Sequence, residues 1–195
     1  MKKAITITNT ITITILAIIM SSCTNQTKSD KLNLEKTIST TNATPQVKFE
    51  IFNNIPKLQA ALSQNGIGQL GDWKSDGMGG FYSITKYFLI GHQSEDYKPQ
   101  NDLCYNLESD NEQYVKTLKL CLNINNKSQK KQAISKFKET IGKTFQSLSI
   151  KVPDGLYRAL DKEKGIQSDN EQYKVMLKLE KNNWIDNWIM LIETK

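Results

Sequence analysis

The chain has 195 residues, with 26 Lys or Arg against 20 Asp or Glu and a formal net charge of +6. Arg158 is its sole arginine. Bidentate reading of bases and phosphates relies on the guanidinium fork, so this composition excludes a sequence-reading nucleic-acid protein and assigns the lysines to solubility.

In chain order, the first element is a leader. Lys2 and Lys3 precede an apolar run, Ala4 to Met20, and Met20-Ser21-Ser22-Cys23 closes it with small residues before a cysteine. A membrane-spanning helix needs about 20 predominantly apolar residues. The run has 17, six of them Thr or Asn, so it is too short and too polar to span. It resembles the lipobox of bacterial lipoprotein signal peptides. The resemblance implies that residues 1–22 are cleaved off and that Cys23 becomes the lipidated first residue of the mature protein. Acyl chains there would tie it to a membrane, since two or more chains hold stably. Thr24 after the cysteine, in place of Asp, resembles the outer-membrane choice in enterobacterial sorting.

Residues 23–46 are rich in Thr, Asn, Ser and Lys and cannot bury enough apolar surface to offset chain entropy. They are expected to form a tether with a coil dimension of roughly 25–30 Å. A single α+β domain is expected over 47–195. Val47, Phe49 and Ile51 alternate with Lys48 and Glu50, the pattern of a short strand, although a helical start fits nearly as well. Asn53 or Asn54 then offers an N-cap, Pro56 suits a first turn, and Ile55, Leu58, Ala61 and Leu62 make the stripe of a helix ending at Gly66.

A hairpin follows, Gln69 to Ser75 and Phe81 to Gly91 around Asp76-Gly77-Met78-Gly79-Gly80. Strands are expected at Asp102 to Glu108 and Tyr114 to Ile124. Lys127 to Leu148 is the strongest helix, with Ile134, Phe137, Ile141, Phe145 and Leu148 at intervals of three and four. A short helix at Asp154 to Lys164 precedes two strands, Tyr173 to Lys181 and Trp184 to Glu193; the stretch Trp188 to Ile192 is apolar on both faces, so the last strand is expected to be central or doubly covered, with Trp184 and Trp188 in the core. The fold class is therefore α+β: an antiparallel sheet of five to seven strands, with one long amphipathic helix and shorter helices on one face.

Cys104 and Cys121 fall on the polar face of neighbouring antiparallel strands. A disulfide needs a register in which 104 faces 121, centring the turn between Glu112 and Gln113. A tight turn at Asp110-Asn111 would pair 104 with 117 and separate the sulfurs. The segment Ser109 to Tyr114 recurs identically as Ser168 to Tyr173, with Leu118-Lys119-Leu120 in step as Leu177-Lys178-Leu179. This reads either as a duplicated half-domain with two equivalent loops or as two polar turns leading into strands.

Little else carries chemistry. His92 is the only histidine, near Glu95 and Asp96, so no histidine-rich metal site is expected and no cofactor is implied. Three Ser-x-x-Lys matches lack the companion motifs of penicillin-recognising enzymes. The aromatic and Gly-rich hairpin, with Trp73, Asp76, Met78 and Tyr82, is the candidate binding surface, and Trp73 is expected to be the most exposed of the three tryptophans. Three functional classes fit: a non-catalytic, lipid-anchored envelope protein that binds an envelope protein partner or shields a periplasmic site, an immunity or inhibitor protein of the periplasm, and a hydrolase using carboxylate pairs such as Asp72 with Asp76 or Glu108 with Asp110, which without a pocket read as solvated loop charges. The last requires a deep acidic pocket.

Overall fold

A computed structural model describes residues 46–91 and 99–195. The leader, the lipidation residue Cys23 and all of the tether but Gln46 lie outside these residues, as do His92, Glu95 and Asp96. The described residues form an α+β fold: an eight-stranded antiparallel sheet carrying its helices on one face. The strands are β1 (Lys74–Ser75), β2 (Phe81–Ile84), β3 (Phe88–Ile90), β4 (Asn101–Ser109), β5 (Thr117–Ile124), β6 (Ile166–Asp169), β7 (Tyr173–Lys181) and β8 (Asp186–Thr194). Their lateral order is β1-β2-β4-β5-β8-β7-β6, with β3 pairing β4 beyond the end of β2. Three α-helices, α1 (Ile55–Ser63), α2 (Lys130–Ser147) and α3 (Leu156–Asp161), complete the fold. Among the described residues no helix is long and apolar enough to cross a membrane.

Alternation decides which face is covered. Leu103, Tyr105 and Leu107 of β4, Leu118, Leu120, Leu122 and Ile124 of β5, and Trp188, Met190 and Ile192 of β8 all point inward and are fully buried. Against them α2 sets Ala133, Phe137, Ile141 and Phe145, and α1 sets Leu58 and Leu62. Residues between the inward ones, including Cys104, Asn106, Lys119 and Cys121, lie on the outer face, which no helix covers. β8 is central, as its composition predicts, but it is covered on the helix side alone: Ile189 and Leu191 remain half-exposed on the other.

Helix ends follow local chemistry. Asn54 Oδ1 accepts the Lys57 amide at 3.1 Å, the cap of α1, with Pro56 in the first turn. A 3-10 turn at Lys127–Gln129, capped by Asn126, leads into α2. At the other end the Ile150 amide donates to the Phe145 carbonyl and the Ser149 amide to the Gln146 carbonyl. This is a Schellman closure in which Ser149, at φ 55°, stands where glycine is usual.

Three expectations are corrected. Glu50–Asn53 is a 3-10 turn and not a strand, because Asn53 closes a loop on Val47 through two 2.9 Å bonds while Phe49 and Phe52 turn inward together, ring centroids 4.9 Å apart. The expected strand from Phe81 to Gly91 is divided: Ile84 pairs Asn106 and Phe88 pairs Leu103, so three residues (85–87) stand opposite two (104 and 105) in a β-bulge. Trp184, expected in the core, is 81% exposed at the tip of the β7–β8 hairpin. Its amide is held by Asn182 Oδ1, which fixes a tight turn and turns the indole outward.

The sheet and helices are tied by one buried polar chain. Asn65 Nδ2 donates to Tyr105 Oη at 2.9 Å, Tyr105 Oη lies 2.6 Å from Thr144 Oγ1, and Thr144 Oγ1 donates to the Thr140 carbonyl at 2.7 Å. Ser147 adds a bond to Asn65 Oδ1. Desolvation pushes the pKa of the phenol up, against the opposing hydrogen bonds of Thr144 and Asn65. Replacing Tyr105 by Phe takes from Asn65 Nδ2 its acceptor and from Thr144 Oγ1 one of its two bonds, while Thr144 keeps the Thr140 carbonyl and Asn65 Oδ1 keeps Ser147. A buried group orphaned in this way costs about 1–3 kcal/mol. Urea denaturation of Tyr105→Phe is expected to show a lower midpoint at unchanged slope, and a midpoint equal to wild type would refute this role for the hydroxyl.

Candidate functional site

The outer face is concave at one place, where the β1–β2 and β4–β5 hairpins converge. The groove has a volume of about 450 Å³ and is lined by Asp76, Phe81, Tyr82, Ile84, Asn106, Glu108, Ser109, Asp110, Lys116 and Thr117. Its rim begins at the Gly-rich turn. Asp76 Oδ1 accepts the amides of Met78 at 2.7 Å and Gly80 at 2.9 Å, and Ser75 Oγ accepts that of Gly77 at 3.1 Å. Gly77 and Gly79 take φ of 77° and 97°. Gly80 is required for space, since a Cβ there would sit 2.5 Å from Asp76 Oδ2.

The four residues of the expected binding surface are not equivalent in this frame. Asp76 and Tyr82 line the groove, with Lys74 Nζ lying 5.3 Å from the Tyr82 ring. Met78 caps the turn and is 89% exposed. Trp73 is half-buried, stacked on Phe81 with centroids 6.2 Å apart, and its indole N–H donates to the Glu112 carbonyl at 2.9 Å. It braces the two hairpins against each other and is not the most exposed tryptophan.

Of the floor and far wall, sequence reasoning reached Glu108 and Asp110 as a carboxylate pair and missed Asn106 and Lys116. Lys116 Nζ is 2.6 Å from Asp110 Oδ2, and Tyr114 donates to the other oxygen at 3.2 Å. Lys119 Nζ is 2.5 Å from Glu108 Oε2, whose partner oxygen accepts Asn106 Nδ2. Asn106 Oδ1 is buried with no hydrogen-bond partner. A second signal that pointed here was the repeated Ser-Asp-Asn-Glu-Gln-Tyr, which supplies Ser109 and Asp110.

The two copies form hairpins of the same residue register, since Leu107 faces Leu118 as Ile166 faces Leu177. Each also uses its Asn as an Asx turn, Asn111 accepting the Gln113 amide and Asn170 the Gln172 amide, both at 2.8 Å. They are not halves of a symmetric unit. β5 and β7 flank β8 from opposite sides, run in the same direction and turn their repeated leucines to the same face, an arrangement that no rotation produces. The echo is a reused turn.

Two carboxylates of the groove are held ionised. Amide donation from Met78 and Gly80 keeps Asp76 below the usual carboxylate range, and Lys116 does the same for Asp110. Neither of these two carries a proton to give at neutral pH, so neither is set up as a general acid. Among the described residues no group of three or more His, Cys, Asp or Glu is placed to hold a metal ion.

Comparison with protein-family models, with curated proteins and with solved structures finds no match to this chain. Its chemistry must therefore be read from its own surfaces.

A second concavity, about 800 Å³, lies between α2 and α3 and is lined by Lys127, Lys130, Lys131 and Lys138 with Asp161 and Glu163. Its charge is largely matched. Lys130 reaches Glu163 at 2.5 Å and Asp186 at 3.5 Å, Lys138 reaches Asp161 at 2.5 Å, and Lys181 also holds Glu163, whose carboxyl the two lysines pull down to about 2. The electropositive face that an inhibitor of an acidic partner would use is thus mostly cancelled.

The depressed carboxyl of Asp76 has a defined consequence for the turn. A group whose folded pKa lies below its unfolded value stabilises fully above the unfolded value and stops doing so as pH falls through the folded one. The Asp76 contribution is therefore complete above roughly pH 4 and lost below it. Amide hydrogen exchange at Met78 and Gly80, corrected for intrinsic rates, is expected to lose protection as pH falls below that range. Protection that stays constant would show that the carboxylate does not hold the turn.

Proposed function

We propose that this chain is a lipid-anchored protein of the bacterial cell envelope, held at the outer membrane through Cys23. We infer that its folded domain is a non-catalytic module that binds another envelope protein. The anchor is supported by the leader and by Met20-Ser21-Ser22-Cys23, and the Thr-, Asn-, Ser- and Lys-rich composition of 24–46 suits a tether between lipid and domain. The binding reading rests on the groove between the two hairpins.

That groove combines what a protein partner uses. Phe81 and Ile84 give apolar contact, Met78 projects from the rim, and Tyr82 supplies an aromatic with a polar tip. Asn106 Oδ1 is an unpaired acceptor that a donor on the partner would satisfy. The ionised carboxylates Asp76 and Asp110 act here as fixed acceptors and charges and not as proton donors.

Two measurements test the reading separately. Cells supplied with radiolabelled palmitate are expected to label the wild-type chain and to leave Cys23→Ser unlabelled and released from the envelope fraction. Equal labelling of both would refute the anchor. A photoreactive phenylalanine analogue in place of Tyr82, irradiated in intact cells, is expected to yield a discrete crosslinked envelope protein that the same group in place of Lys164 does not yield. No crosslink beyond that control would refute the groove as a binding surface.

A further inference from the structure

The strongest feature outside the groove is a pair of thiols at the middle of the uncovered sheet face. Cys104 of β4 and Cys121 of β5 are direct partners in the antiparallel ladder, and the chain turns between Glu112 and Gln113 as that register demands. Both are free thiols. Direct partners in such a ladder have Cα atoms about 4.5–5.5 Å apart, inside the range of about 4.4–6.8 Å that a disulfide spans. The bulge at 85–87 lies across β4 from Cys104, so the thiol pair has a regular strand on one side and a break in the ladder on the other. Asn106 and Lys119 are the next outward-facing pair along the same two strands, which puts the thiols beside the groove floor.

We propose that Cys104 and Cys121 are a two-electron redox site with divided roles, Cys121 attacking and Cys104 resolving, oxidised by a low-molecular-weight disulfide. Exposure assigns the roles. Cys104 is only 5% exposed, whereas Cys121 is partly exposed and so the more open of the two to solvent. The thiol–thiol hydrogen bond agrees with this order: it lowers the pKa of Cys121, helped by the Lys119 charge and opposed by burial, and together with burial it raises that of Cys104. The thiolate is the nucleophile in exchange.

The chemistry balances. The Cys121 thiolate attacks one sulfur of the disulfide RSSR, forms a mixed disulfide and expels RS⁻, which takes up a proton. Cys104 then gives its proton to solvent, and its sulfur attacks Cys121 Sγ. The Cys104–Cys121 bond forms, the mixed disulfide breaks, and the second RS⁻ leaves and is protonated. Two protein thiols are oxidised and one disulfide is reduced to two thiols. Closure welds β4 to β5 where the ladder already holds them in register, so it requires no change of fold. This inference stands independently of the lipid anchor and of the groove's partner.

The full-length chain in detergent, treated with oxidised glutathione at neutral pH, quenched with acid, alkylated and digested, tests it by peptide mass mapping, which also separates Cys23 from the pair. In the wild type we expect a linked peptide pair containing Cys104 and Cys121 and no lasting glutathione on either. Cys104→Ser is expected to stop at a stable glutathione adduct on Cys121, and Cys121→Ser to react at Cys104 at least about tenfold more slowly, because that sulfur is buried. The proposal is overturned if both wild-type thiols are recovered alkylated, if a glutathione adduct on Cys121 persists in the wild type, or if the two single variants react equally fast. The wild-type experiment decides closure even where a variant fails to fold.

Discussion

The phenol of Tyr105 sets the terms for the rest of the molecule. It stands on the helix side of β4 at full burial and joins Asn65 after α1 to Thr144 in the last turn of α2. A hydroxyl there is worth keeping only if both partners are present, since each orphaned group in a low-dielectric core is costly. The network therefore fixes where both helices sit, on one face. Everything apolar in β4, β5 and β8 that faces that way is sealed beneath them, and the opposite face is left to polar and half-buried side chains.

That open face is organised laterally. Glu108 pairs with Lys119 across β4 and β5, and Lys174 approaches Glu193 across β7 and β8. Asp102 accepts Asn123 at 2.7 Å and Asn125 at 3.0 Å, and burial raises its pKa against those two bonds. Cross-strand pairs of this kind stabilise a sheet without a second layer. They also leave local gaps. One is the groove at the hairpin edge, and another is the thiol pair, where two small side chains stand opposite each other with no charge between them.

The charge of the chain is spent mostly on itself. Of the lysines on α2 that periodicity places outside, Lys136 and Lys143 meet Glu139, Lys130 meets Glu163 and Asp186, and Lys138 meets Asp161. Exposed pairs of this sort contribute little to stability. Their effect is on the surface potential: a formally basic protein presents a mixed face on the helix side, so shape and apolar contact at the groove carry more of the binding argument than net charge does.

Periodicity and turn chemistry determined most of the secondary structure. The three-and-four spacing from Ile134 to Leu148 gave α2, Asn54 with Pro56 gave the start of α1, strict alternation gave β5, and the glycines around Met78 gave the first hairpin. These signals are local, each satisfied by a few neighbouring residues. The strand expected at Val47 was lost because Asn53 and the Phe49–Phe52 contact bind the segment to itself. The bulge at 85–87 was invisible because it exists only in the pairing with β4, and the short strand β6 because its residues are mostly polar and exposed and show no apolar alternation of their own. The functional surface was legible at Asp76 and Tyr82, beside the turn that announces itself, visible at Glu108 and Asp110 only as a carboxylate pair without a pocket, and hidden at Asn106 and Lys116, whose groove neighbours come from another hairpin. Likewise the sequence placed Cys104 and Cys121 on one face of adjacent strands but left two registers open. The two registers differ by four positions and leave the same residues on the same faces, so alternation could not choose between them; the tertiary structure did, because the longer turn is held from outside the hairpin, by the Trp73 indole on the Glu112 carbonyl and by the Phe52 carbonyl on the amide of the buried Val115.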